Sequence, residues 1–228
     1  MTLKENKIQV AVASDFLSAF SQVPKGQQAK VLTFVNKFRT NPTSSGFNYE
    51  KIKEAKDQNL YSVRIDQAYR GVVLKPEKGN VFVLLWVDHH DKAYQWAANK
   101  VYRIHPETGS LQVIDVEKAQ IPSQVQEKKE PEKPALFRKL ADPQLIALGI
   151  PELMISKVRS IRSEADLDSC ADDFPQEAAE VLYMLAAGYT IDEVMDELDN
   201  KEKPKAVDPD DFVEALKNPD SQRRFFVA

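Results

Sequence analysis

Hydrophobic and polar positions change rhythm twice along the chain. Residues 7–13 (KIQVAVA) alternate and stop at Ser14-Asp15, which predicts a strand followed by a helix start. Phe16, Leu17 and Phe20 share a face of that short helix, which Pro24 ends; Pro24 opens a second helix through Lys37, where Val31, Leu32, Val35 and Phe38 recur at helical spacing. Asn41-Pro42 stops it. Residues 49–57 are charged and read as a helical turn or an irregular approach to a sheet. Residues 60–65 (LYSVRI) alternate, with Tyr61, Val63 and Ile65 on one face and Ser62 and Arg64 on the other. Residues 69–75 continue the sheet, and residues 81–87 (VFVLLWV) are apolar at both parities, as in a central strand covered on both sides. A helix with Ala93, Tyr94, Ala97 and Ala98 starts at Asp91, and residues 101–104 and 111–114 read as a hairpin around Pro106-Glu107-Thr108-Gly109.

Residues 116–135 have little apolar periodicity, many charges and three prolines, and read as a linker. Helical grammar follows over residues 136–200. Asp142-Pro143 starts one helix and Gly149 closes it; Pro151 opens a second carrying Leu153, Met154, Val158 and Ile161; Ser163 and Asp166 cap a third. Pro175 opens a fourth that Gly188 ends, and Thr190 with Glu193 forms a capping box for a fifth. Helices this short must bury their stripes against one another. The predicted class is therefore α+β: a small antiparallel sheet with two N-terminal helices over residues 1–115, a linker over 116–135, a compact all-α domain over 136–200, and a tail over 201–228.

Composition and charge refine this picture. The 228 residues can bury one large core or two small ones, and 43% are hydrophobic. Residues 1–115 hold 16 Lys and Arg against 11 Asp and Glu, net +5, whereas residues 116–228 hold 15 against 24, net −9. The basic half permits contact with phosphate, and the acidic half argues against a nucleic-acid surface of its own. There is no signal-like N-terminus and no apolar run of the roughly 18 residues that span a bilayer, so a cytoplasmic protein with no membrane partner is expected. The single cysteine, Cys170, excludes an internal disulfide and reads as a small buried residue.

Candidate chemistry sits at the end of the sheet, in Asp88-His89-His90-Asp91 with Tyr94 beyond and Arg64 and Arg70 on neighbouring strands. Adjacent histidines leaving a strand point to opposite sides, so they do not chelate one ion together, and no metal is expected. Each residue also has a structural reading. Arg64 and Arg70 suit ion pairs with Asp66, Glu54 or Asp88; Asp88 or Asp91 suits a helix N-cap; Tyr94, Trp86 and Trp96 suit the core.

The order strand, two helices, three antiparallel strands and a terminal helix, with LYSVRI, YRGVVL and VLLWVDHHDKAY in sequence, resembles the RelE/ParE/YoeB superfamily of small bacterial toxins over about residues 7–100. The resemblance implies metal-free ribonuclease chemistry, with Arg64 and Arg70 holding the scissile phosphate, His89 or His90 as acid or base, and Tyr94 stacking or moving a proton. His90 stands where many members have Arg, Ser62 where some have a second Lys, and the next helix carries few basic residues. Losing those cations removes the main electrostatic contribution to such catalysis. The later ALGIPE, FPQEAAEVLY and PDSQRRF segments resemble the region joining a RelE-like domain to the motor of certain UvrD/Rep-like superfamily 1 DNA helicases. That likeness implies an accessory region with nucleic acid and its own motor as partners, and reads the chain's end as a cut at a domain boundary. Seven glycines include no GxxxxGK[ST], so ATP and Mg are expected only for a motor beyond this chain, and no cofactor within it. A protein-interaction module, its acidic helices docking on the motor or a partner, is the third reading.

Overall fold

The computed structural model describes residues 8–78, 80–120, 134–199 and 208–227. In chain order the elements are β1 (Gln9–Ala13), α1 (Ser14–Gln22), α2 (Lys25–Thr40), β2 (Tyr49–Lys51), β3 (Leu60–Arg64), β4 (Tyr69–Leu74), β5 (Val81–His89), α3 (His90–Ala98), β6 (Lys100–Ile104) and β7 (Leu111–Asp115). They continue with α4 (Val116–Gln120), α5 (Asp142–Ala147), α6 (Ile155–Ser160), α7 (Glu164–Cys170), α8 (Gln176–Ala186), α9 (Ile191–Asp199), α10 (Phe212–Ala215), α11 (Pro219–Gln222) and β8 (Phe225–Val227). The mixed α+β class is as expected. The antiparallel sheet is larger than expected: β3, β4 and β5 form the middle of a six-stranded sheet ordered β2-β3-β4-β5-β1-β8, in which β1 runs parallel to β5.

Both sheet faces are buried. On one, Val10, Val63, Val73, Phe82, Leu84 and Val87 pack under Phe16, Val31, Phe34 and Phe38 from α1 and α2. On the other, Ala11, Leu60, Val72, Val83 and Leu85 pack under α3, the β6–β7 hairpin and Phe212, Leu216 and Phe225. The latter three come from residues 201–228, read as a tail. From residue 208 on, that segment returns to the sheet, because Phe225 is fully buried beside β1.

The helix faces differ in detail from the periodicity reading. Leu17 and Leu32 are half-exposed, and Ala19 and Phe34 take the buried positions. Two faces of a helix compatible with one spacing are separated only by which rings fit the sheet. Phe34 fits because Gly71 in β4 lies under its ring, where an added Cβ would come within 3.3 Å.

The helical segment forms a second core of Leu145, Leu148, Ile150, Met154, Val158, Ile161, Leu167 and Leu182. Its predicted caps are present: Ser163 Oγ accepts from Asp166 N, and Thr190 and Glu193 form the reciprocal box. Gly149 and Gly188 adopt the positive φ that closes a helix. Met154, Val158 and Ile161 are buried, while Leu153, in the short turn of Glu152–Met154, is 52% exposed. Of the predicted linker, residues 121–133 lie outside the described residues. Its first residues form α4, and Ala119 is buried in the second core.

The β6–β7 hairpin joins the two cores. His105 Nε2 meets the Ile150 carbonyl at 3.2 Å, Gln112 Nε2 donates to the Gly149 carbonyl at 3.0 Å, and Ile114 packs into the helical core.

Candidate nucleic-acid interface

The turn between β3 and β4 is built by one side chain. Asp66 Oδ1 accepts from the backbone N–H of Ala68 and of Tyr69, each at 2.9 Å, a local pairing that favours turns over continued strand. Its other oxygen meets Lys30 Nζ of α2 at 3.3 Å. Burial pushes the Asp66 carboxyl up, but the two N–H donors and Lys30 outweigh it and hold the group below its ordinary value.

Arg64 and Arg70 flank this turn directly opposite each other across β3 and β4. Like charges so placed repel. Carboxylate pairing does not relieve it: neither arginine forms an ion pair with Asp66, Glu54 or Asp88, contrary to the structural reading. Both instead donate to the Asp66 carbonyl, Arg64 Nε at 3.2 Å and Arg70 Nη1 at 3.0 Å. Arg70 Nε is buried with no hydrogen-bond partner among the described residues. Arg70 Nη1 also donates to the Tyr69 carbonyl at 3.1 Å, so carbonyls satisfy part of each guanidinium, and the remaining N–H groups of two arginines held side by side suit an anion.

A β-bulge decides where the histidines go. The β4–β5 pairing steps from Val73–Leu84 to Val72–Trp86, leaving Leu85 as an extra residue. Beyond it Arg70 opposes Asp88 and Tyr69 opposes His89. Without the bulge Asp88 and His89 would exchange faces. As built, His89 lies on the α2 side, its ring 4.3 Å from that of Tyr69. His90 opens α3 on the other side, and its backbone N–H donates to the Ala68 carbonyl at 3.0 Å, tying the helix start to the arginine turn.

One helical turn on, the Tyr94 ring stacks on His90 at 4.4 Å, and the Tyr94 hydroxyl lies 2.9 Å from Ser62 Oγ. Ser62, placed by alternation on a polar face, is 1% exposed, because α3 covers that face. His90 Nδ1 lies 2.9 Å from Asp91 Oδ1. The N-cap of α3 is His89, with no side-chain cap, so neither Asp88 nor Asp91 has the capping role expected. Trp86 and Trp96 stack at 4.8 Å and 9°, half-buried against the α3 core, and the Trp86 indole nitrogen has no hydrogen-bond partner among the described residues.

The five residues expected to form one site are thus divided. Arg64 and Arg70 share a carbonyl, His90 and Tyr94 share a stack beside the same turn, and His89 faces away from them. Arg64 also lines a cleft of about 340 Å³ against α2, with Lys30, Thr33, Lys37 and Phe47. Lys30 was missed by periodicity. Its signal is charge, since α2 holds Lys25, Lys30, Lys37 and Arg39 and no acid.

The described residues include no group of three or more His, Cys, Asp and Glu able to hold a metal ion, and no helix long and apolar enough to cross a membrane. Arginine forks, a lysine, an imidazole and a tyrosine can hold an anion and stack on a planar ring. Fold and cluster together define an α+β protein with a cationic turn at one end of a mixed sheet. No protein-family model, curated protein or solved structure matches the chain.

Proposed function

We propose that this chain is a nucleic-acid-binding accessory region, without an ATPase of its own, of the kind that stands ahead of the motor in UvrD/Rep-like helicases with a RelE-like N-terminal domain. The observation that carries the binding is the opposed Arg64–Arg70 pair, which makes no ion pair among the described residues although Asp88 lies opposite Arg70, and which has Lys30 beside it on Asp66. The parent assignment rests on the sequence resemblance. Phosphate would add an ion pair to guanidiniums now held by carbonyls, and the His90–Tyr94 stack offers a ring edge to a neighbouring base or sugar.

The test is titration of labelled single- and double-stranded DNA and RNA at rising salt. Three phosphate contacts on a single strand give a log–log slope of about −2, at roughly −0.7 per contact. Arg70→Ala should weaken every sequence alike and flatten that slope by about one contact. Salt-independent or absent binding would leave a protein-interaction module in its place.

The stacked His90 and Tyr94 favour one second reading, a metal-independent ribonuclease. RNA cleavage in chelator, with or without ribosomes, that is lost in His90→Ala and Arg70→Ala would replace the binding reading with a catalytic one.

A further inference from the structure

We propose that the groove between α2 and residues 41–47 is the path of a single-stranded nucleic acid running away from the arginine turn. This deepens the nucleic-acid reading above and rests on it.

Two clefts make up the groove, about 340 Å³ beside Arg64 and about 610 Å³ beyond it, and both are lined by Lys37, Gly46 and Phe47. Their α2 wall carries Lys30, Thr33, Lys37 and Thr40, with Asn36 alongside; both threonine hydroxyls donate to carbonyls of their own helix at 2.9 Å, Thr33 to Ala29 and Thr40 to Asn36, so the lysines and Asn36 are the donors this wall offers. These recur at helical spacing on the flank beside the buried Val31, Phe34 and Phe38, and Phe34 itself reaches the lining. Asn41 and Ser44 complete the far wall.

Charge gives the groove its ligand class. Between Asp15 and Glu50 lie 34 residues with four cations and no acid, in a chain that carries 35 Asp and Glu over 228 residues. At the chain's average, about five acids belong in such a stretch. Lys30 has Asp66 as its partner, while Lys37 has no carboxylate partner among the described residues. A solvated helix face usually mixes both signs, and a one-sign groove focuses the field on a polyanion.

Shape favours a single strand. The two lysines are seven residues apart, two helical turns or about 10 Å along the axis. That spans two to three phosphates at about 3.4 Å each along a stacked strand. The groove is concave, with Phe34 and Phe47 in its lining. Phe47 is held edge-on by Phe34 and Phe38, each centroid 5.6 Å away, so the aromatic floor is rigid. A cationic wall over an aromatic floor takes one backbone with its bases turned inward, whereas a duplex keeps its bases in the stack.

The test measures binding of a labelled 12-nucleotide oligo-dT and a 12-base-pair duplex to the full chain, to Lys37→Glu and to Arg39→Glu. Arg39 is exposed on the same helix but does not line the groove, so the two variants alter net charge equally. Both positions are solvent-exposed, and circular dichroism confirms folding. The expected result is tighter binding of oligo-dT than of duplex, with a loss of ten-fold or more in Lys37→Glu and under three-fold in Arg39→Glu. Arg70-dependent binding that treats the two variants alike, or that prefers duplex, overturns the path and leaves the arginine interface standing. Binding of neither oligonucleotide overturns the nucleic-acid reading itself. Lys37-dependent binding of poly-glutamate without oligonucleotide binding assigns the groove to an acidic protein segment and overturns the proposal.

Discussion

Lys157 is the side chain whose charge should matter most to stability. It sits on α6 at 3% exposure, and its ammonium donates to Asp173 Oδ2 at 2.6 Å and to the Lys118 carbonyl at 2.8 Å. Asp173 receives Lys118 Nζ on its other oxygen at 2.8 Å. The Lys157→Met substitution keeps the aliphatic stem but deletes the charge. It leaves a carboxylate with one lysine instead of two and a backbone carbonyl without its donor. Breaking a buried pair costs about 3–5 kcal/mol, and the remaining Lys118 contact puts the loss near about 3. For a chain of this size that lowers Tm by roughly 6–12 °C. Lys217 supplies the control. Its contact with Glu214 is 2.9 Å long but the lysine side chain is 53% exposed, so Lys217→Met should cost under about 0.5 kcal/mol. Urea unfolding with unchanged m-value reads both variants. A Lys157→Met loss below about 1 kcal/mol, or one equal to that of Lys217→Met, would refute the argument that burial rather than distance sets the strength of these pairs.

Three further outcomes are expected. Tyr94→Phe should cost about 1–3 kcal/mol by stranding the buried Ser62 hydroxyl, and adding Ser62→Ala should restore most of it; a non-recovering double mutant in urea melts would show the two hydroxyls to be independent. Gly71→Ala should cost about 1–3 kcal/mol, because its Cβ meets the Phe34 ring at 3.3 Å, and an unchanged unfolding midpoint would show that α2 moves aside freely. Burial pulls the His105 imidazole down from its ordinary 6.5, outweighing its contact with the Ile150 carbonyl. The unfolded chain then binds the extra proton first, so stability contributed by His105 is present above about pH 6.5 and declines as pH falls toward the folded value. The stability difference between the chain and His105→Asn should therefore shrink from pH 8 to pH 5, and growth of that difference would reverse the assignment.

Contacts far apart in the chain also hold the corner between β1 and α1. Ser14 N donates to the Arg224 carbonyl at 2.8 Å, and Arg224 Nη2 lies 3.0 Å from Asp15 Oδ2, so residues read as a departing tail hold the first strand–helix corner. Burial pushes the Glu177 carboxyl on α8 up, and nearby Asp220 of α11 adds to it, which marks the same junction as closely packed.

Periodicity and caps made much of this legible. The strand at residues 60–64, the doubly covered β5, the β6–β7 hairpin and the Ser163 and Thr190 caps depend on patterns of two to four residues, and local chemistry decides those. The cluster's ingredients, Arg64, Arg70, His90 and Tyr94, were likewise visible, because they adjoin strand ends. Other features required the assembled fold. A single extra residue, Leu85, sends His89 to one face and leaves His90 to open α3 on the other, and a bulge has no signature in an unbroken apolar run. Ser62 is buried because α3 lies over it, and Arg70 stands between Arg64 and Asp88 because pairing register places them on its two neighbouring strands. Lys30 reaches the turn from 36 residues away, and β8 reaches β1 across almost the whole chain. Short-range spacing dictates which residues share a face; which faces meet is decided only when the sheet, its two helical covers and the returning segment bury their apolar surfaces together.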